Sequence, residues 1–155
     1  MMMKVVRNLK VEMTYLIKYN SKIFRNTQMY LDKVLKKYEL SSGCYHYLFI
    51  LEENEGISQN KISKEIDNDK AMSARTITKL IGLGYIYKTE DEGDSRAYKL
   101  YLTEKATLII PKMHKEIDYM VNLITADLNE EEKQITMSSL KRILNSIKNL
   151  KYMEA

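Results

Sequence analysis

The stretch Gly93-Asp94-Ser95-Arg96-Ala97-Tyr98-Lys99-Leu100-Tyr101-Leu102-Thr103 constrains this chain more than any other. Tyr98, Leu100 and Leu102 alternate with Lys99 and Tyr101, the pattern of a half-buried strand, directly after the tight acidic turn Asp91-Glu92-Gly93-Asp94. Tyr85-Ile86-Tyr87-Lys88 supplies the partner strand, and Thr103 with Glu104 opens a helix immediately afterwards. This predicts a short hairpin with Arg96 at its base. One proline and five glycines in 155 residues leave little turn chemistry for further sheet, so the fold class expected is mainly α with a small β-hairpin wing.

Elsewhere apolar residues recur at three- and four-residue spacing. One long helix is expected from Val6 to Tyr38, carrying Leu9, Met13, Leu16, Ile17, Ile23, Phe24, Leu31, Val34 and Leu35. Ser41-Ser42-Gly43 interrupts it and is placed to cap a second helix, Cys44 to Glu53, closed by Asn54-Glu55-Gly56. Ser58 can N-cap a short helix with Ile62 and Ile66 inward, and Asp69 can cap another from Lys70 to Leu83, ended by Gly84. In that helix Ala74, Ile77, Leu80 and Ile81 form the expected buried stripe. Met72, Ser73, Arg75, Thr76 and Lys79 are expected outside.

Beyond the hairpin a helix carries Ile109, Ile110, Met113, Ile117, Met120, Val121 and Ile124, with Pro111 inside it and expected to bend it. Asn129 with Glu132 reads as a capping box for a last helix striped by Ile135, Leu140, Ile143, Leu144, Ile147 and Leu150. The length suits a single domain over residues 1–155. Its helix-turn-helix and hairpin core is expected at about 41–103, between flanking helices at about 5–38 and 104–151. Those flanking helices carry more apolar stripe than a monomer of this size can cover, which predicts a homodimer joined by them.

Charge points the same way without deciding it. The net charge of +4 is unevenly spread: the first helix is rich in Lys and Arg, while acids gather at Glu52 to Glu55, Glu90 to Asp94 and Glu130 to Glu132. A single cysteine cannot close an internal disulfide, and Met1 to Met3 followed by Lys4 does not read as a signal peptide, so a cytoplasmic protein is expected. No window approaches the roughly 18 apolar residues that span a bilayer, so no membrane partner is expected.

A helix-turn-helix followed by a hairpin with a basic residue at its base can lay a helix in one DNA groove and an arginine in the next. In this order and spacing the chain resembles the MarR family of winged helix-turn-helix transcription regulators. The resemblance covers residues 9 to 150 or so and rests on three stretches. These are Asp94-x-Arg96 with the strand and Leu102-Thr103 after it, Leu80-Ile81-Gly82-Leu83-Gly84-Tyr85-Ile86, and Ser58-x-x-x-Ile62-x-x-x-Ile66. The chain departs from the family at Ala106, where glycine is usual, and at Met72, Ser73 and Ala74, where small hydroxylated residues are common.

The resemblance implies a homodimeric, sequence-specific DNA-binding regulator, expected to be a ligand-responsive repressor on a pseudo-palindromic operator. The double-stranded DNA contacts are expected from Ser58, Gln59, Asn60, Lys70, Met72, Ser73, Arg75, Thr76, Lys79 and Arg96. Arg75 can pair bidentately with a guanine edge, worth about 1–3 kcal/mol of discrimination, while lysine and hydroxyls hold phosphates. By resemblance Asp94 orders the wing and orients Arg96. A small aromatic or amphipathic ligand, anionic by resemblance, is expected in a cleft lined by Tyr15, Tyr19, Cys44, His46 and Tyr47, with Cys44 a buried structural thiol.

No phosphate-binding glycine loop, nucleophile elbow or metal-ligand spacing is present, and two histidines are too scattered for a metal centre. No enzyme, metal or cofactor is expected. The competing reading is a winged-helix protein-interaction adaptor or anti-repressor without DNA binding, to which the acidic hairpin tip would be suited.

Overall fold

A computed structural model describes residues 13–91 and 94–153. The elements run α1 (Leu16–Leu35), a 3-10 turn (Lys36–Tyr38), α2 (Tyr45–Glu53), β1 (Ile57–Ser58), α3 (Gln59–Glu65), α4 (Lys70–Gly82), β2 (Ile86–Asp91), β3 (Asp94–Leu102), α5 (Glu104–Ile124) and α6 (Glu130–Met153). The fold is thus mainly helical around a small antiparallel wing, as the sequence led us to expect. By packing the chain divides into two compact units, residues 1–114 and 115–155.

The first unit holds the core. Leu48 and Leu51 of α2, Ile62 of α3, Ile77 and Leu80 of α4, Leu100 of β3 and Ala106, Ile110 and Met113 of α5 are all buried. Each fully buried leucine or isoleucine stabilises the fold by about 1.5–3 kcal/mol, so this mutual burial is what holds the short helices in register. Tyr85 joins them, its ring buried and its hydroxyl donating to the Tyr38 carbonyl at 2.8 Å. That bond ties the end of the 3-10 turn to the foot of the wing.

Local caps explain where the helices begin. Ser58 Oγ accepts from Lys61 N at 3.4 Å and Asp69 Oδ1 from Met72 N at 2.8 Å, starting α3 and α4 where the sequence places them. Thr103 Oγ1 accepts from Ala106 N at 3.2 Å, and the Thr103 hydroxyl donates back to the Gly84 carbonyl at 2.7 Å. Gly84 adopts φ +75°, the left-handed conformation that stops a helix at low cost.

Three expectations need correcting. Ser41 and Ser42 do not cap α2: its N-cap is Cys44, which makes no side-chain capping bond, its Sγ lying 3.3 Å from Ser41 Oγ. Instead Ser42 N donates to Asp32 Oδ1 at 2.6 Å, so the serine turn is fastened back to α1. The expected first helix does not stay an α-helix to Tyr38: α1 runs from Leu16 to Leu35 and then tightens into the 3-10 turn, while Val6 and Leu9 lie outside the described residues. And the arm is a three-stranded sheet, order β1-β3-β2, because Ile57 and Ser58 pair with Leu100 and Lys99. Two residues are too few to show an alternating pattern, which is why β1 is invisible in the sequence.

The sheet is two-faced. Ile86 pairs with Leu102 and both are buried, while the next pair, Tyr87 and Tyr101, stacks on the opposite face with ring centroids 5.4 Å apart. Gly56 (φ +80°) turns the chain into β1, and a Cβ on it would sit 3.2 Å from the Tyr101 hydroxyl.

In the second unit, Asn129 and Glu132 exchange the reciprocal bonds of a capping box, at 2.8 and 2.9 Å, and start α6. Every member of the α6 stripe named above is exposed, from Ile143 at 39% to Leu150 at 59%.

Candidate nucleic-acid interface

The second helix of the helix-turn-helix, α4, is thirteen residues long and anchored by one face. Its buried positions are Ser73, Ile77 and Leu80, spaced by four and three, so the helix rests on one narrow stripe. Met72, Arg75 and Lys79 are exposed and Thr76 is half-buried on a neighbouring face. These four, with Ser41, Gly43, Cys44 and Asn68, line a shallow groove of about 390 Å³. The groove presents two cations and hydroxyls, and no carboxylate is among its described lining residues. Such a surface suits a polyanion.

Ser73 is the clear correction. Expected outside among the DNA contacts, it is fully buried, and its Oγ accepts from the Tyr47 hydroxyl at 3.1 Å. A serine at that position can reach neither a base nor a phosphate. Tyr47 in turn accepts from Asn68 Nδ2 at 3.1 Å and is itself fully buried, so it is part of the core and does not line a ligand cleft.

The remaining candidates separate by position. Asn60 is exposed and Gln59 and Ser58 half-buried at the start of α3, while Ser58 spends its hydroxyl on the cap. Lys70 is exposed in the first turn of α4. Lys61 and Lys64, also exposed on α3, are not among the expected contacts: as ordinary surface lysines their spacing carries no motif. On the wing, Lys88 lies over the Tyr98 ring, 4.3 Å from its centroid. The side chains of Asp94 and Arg96 lie outside the described part of the structure.

Beside the helix-turn-helix lies a cavity of about 340 Å³, within the roughly 300–1,000 Å³ of small-molecule sites. Phe24, Thr27, Gln28 and Leu31 of α1 line it, with Ser42, Gly43, Tyr45, His46, Ile66 and Asn68. Of the expected ligand residues only His46 is there. Tyr15 and Tyr19 are exposed and pack against each other at 6.2 Å; Cys44, buried, lines the other groove. Burial holds the His46 imidazole below its ordinary pKa and pushes the Tyr45 phenol above its own. The second histidine, His114, bonds Glu52 Oε2 at 2.7 Å and stacks on Phe49 at 3.9 Å, a clasp between α5 and α2.

Comparison with known proteins agrees with this architecture. The MarR family profile matches residues 40–98. The chain is 32% identical, over 94% of each sequence, to the HTH-type transcriptional regulator BilQ of Clostridioides difficile. Among solved structures it is similar to a MarR transcriptional regulator from Methanosarcina mazei, with TM-score 0.80 and 30% identity over 87% of this chain and 98% of that one. It shares the fold of Staphylococcus aureus MepR, solved with DNA, with TM-score 0.78 and 22% identity over 86% of this chain and 96% of that one. Among the described residues no helix is long and apolar enough to cross a membrane.

Proposed function

Since the chain belongs to the MarR family of transcription regulators, we propose that it acts in the cytoplasm as a homodimeric repressor, reading a pseudo-palindromic operator and released from it by a small ligand. The observation that carries the reading is α4 itself: capped at Asp69, seated on Ser73, Ile77 and Leu80, and turning Arg75, Thr76 and Lys79 outward along a groove with no described carboxylate.

Each part then has a physical role. Arg75 reads a base edge in the major groove, and Thr76, Lys79 and Lys70 hold phosphates that set register. Gln59, Asn60, Lys61 and Lys64 of α3 meet the backbone across the groove, and Arg96 enters the neighbouring minor groove with Asp94 orienting it. Met72 offers apolar contact to a thymine methyl. Pairing two such units by the exposed stripes of α1 and α6 gives half-sites about 10 base pairs apart. Nothing in this reading requires catalysis.

A mobility-shift assay on the DNA upstream of its own gene tests it, with Arg75→Ala and Arg96→Ala beside the parent. We expect a saturable shift that both changes weaken, Arg96→Ala also flattening the preference for A·T-rich flanks. Exposed Glu90, at the end of the acidic wing, favours the second reading, a protein-interaction adaptor. DNA binding indifferent to both arginines would select the adaptor.

A further inference from the structure

The half of α4 that carries Met72, Arg75 and Thr76 is the half least fastened by apolar packing. Among residues 70–76 Ser73 alone is buried, while Ile77 and Leu80 anchor the far half. Apolar packing is non-directional, so those two hold α4 down and fix its rotation about its own axis only loosely. Hydrogen bonds are directional, and the near half is held by them. Asp69 Oδ1 accepts from Met72 N at 2.8 Å, and the Tyr47 hydroxyl donates to Ser73 Oγ at 3.1 Å. The same hydroxyl accepts from Asn68 Nδ2 at 3.1 Å, and Asn68 N donates to the Ser63 carbonyl at 3.1 Å.

Of these partners only Tyr47 comes from outside α3, α4 and the turn between them. Its ring is fully buried, so the packing of the core fixes where the hydroxyl sits. Accepting on one side and donating on the other, that hydroxyl joins two bonds that polarise each other. It therefore ties both the turn into α4 and the first buried residue of α4 to a fixed point.

The consequence reaches the opposite face of the helix. Ser73 and Arg75 are two positions apart, roughly 200° around a helix of about 3.6 residues per turn. Holding Ser73 inward aims Arg75 outward. At roughly 6 Å from the axis, a rotation of about 10° moves a side chain by about 1 Å. A bidentate pair with a base edge needs both of its distances near about 3 Å and does not survive such a shift. A lysine on a phosphate follows it as a flexible point charge.

We propose that the Tyr47 hydroxyl sets the rotation of α4 and so determines operator specificity, with Arg75 as the residue it aims. Tyr47 is a positioning residue: buried in the core, it meets no DNA itself. The proposal rests on reading α4 as the helix that reads bases, and goes beyond it by assigning discrimination to a side chain of α2.

Mobility shifts of the full chain test it, on the DNA upstream of its own gene and on a scrambled duplex of equal length and composition. The quantity read is the ratio of the two affinities. A partly unfolded variant loses both affinities by one factor and leaves the ratio alone, so the ratio separates aiming from stability. Tyr47→Phe keeps the ring and removes the hydroxyl. It should lower the ratio about tenfold or more, with affinity for the scrambled duplex within about twofold and its salt slope unchanged. In an Arg75→Ala background the same change should move the ratio by less than about twofold, because the residue to be aimed is gone. Ser73→Ala removes the acceptor on α4 itself; it should match Tyr47→Phe and serves if the phenylalanine variant does not fold. A ratio unchanged in both variants overturns the proposal, as does an equal loss with and without Arg75. A parent that does not prefer its upstream DNA sinks the function proposed above and this inference with it. A preference that survives both variants sinks this inference alone.

Discussion

Two helices of this chain carry the same kind of apolar stripe and meet opposite fates. In α4 the stripe Ser73, Ile77, Leu80 is sealed against α2 and the sheet, with even its polar member satisfied. In α6 the residues Ile135, Leu140, Ile143, Leu144, Ile147 and Leu150 are exposed along its length. Periodicity states that a face needs cover; it does not state who supplies it. Rows of exposed isoleucine and leucine of this extent mark an association surface. The α4 block is complete within its own unit, whereas α6 leaves its stripe exposed, and in the homodimer proposed above a second copy covers it.

The largest test of that contrast is at α6. Ile143→Asp with Ile147→Asp removes two residues expected to contribute about 1.5–3 kcal/mol each on burial. The dimer should weaken about 100-fold or more, read by sedimentation across the micromolar range. Unchanged sedimentation would break the comparison outright. Next, Leu80→Ala should destabilise the fold by about 2–5 kcal/mol in denaturant unfolding. Leu144→Ala should act mainly through association, so its effect should shrink on dilution while that of Leu80→Ala does not.

A smaller effect separates readers from holders within the DNA-facing block. Arg75→Ala should cost about 1–3 kcal/mol and relax preference at one base per half-site. Lys64→Ala should weaken all sequences alike and lower the salt slope by about one. Equal behaviour of the two would deprive α4 of its distinction from α3.

The smallest expectation concerns pH. Burial lowers the His46 pKa below the ordinary 6.5, so the unfolded chain binds the proton more readily than the folded one. The neutral ring's contribution is complete above about 6.5 and is lost as pH falls from that value through the lower pKa of the folded state. The melting temperature of His46→Gln should therefore fall less than the parent's between neutral pH and mild acid. Parallel curves would show that the ring is not desolvated in the folded state.

What could be read from the sequence was what is decided within a few residues. Ser58, Asp69 and the Asn129–Glu132 pair announce helix starts because a cap reaches only to its own first turn. Gly84 announces a stop for the same reason. Ser73 misled because a serine on a helix defaults to solvent, and the hydroxyl that claims it comes from Tyr47, 26 residues away. The His114–Glu52 clasp spans 62 residues and left no local trace. The cavity likewise draws its walls from α1, α2 and the turn before α4, so tyrosines at helical spacing gave its neighbourhood and not its lining.

The two-residue strand β1 has a mechanical consequence. Ser58 is at once a rung of the sheet, opposite Lys99, and the cap that opens α3. Between the wing and the helix-turn-helix there is therefore no joint, because one residue belongs to both. A block built this way behaves as a stamp with fixed relief: the offset between its helix and its arm is set by the fold. In the homodimer proposed above, a change of operator spacing over evolutionary time then comes from moving whole stamps relative to each other.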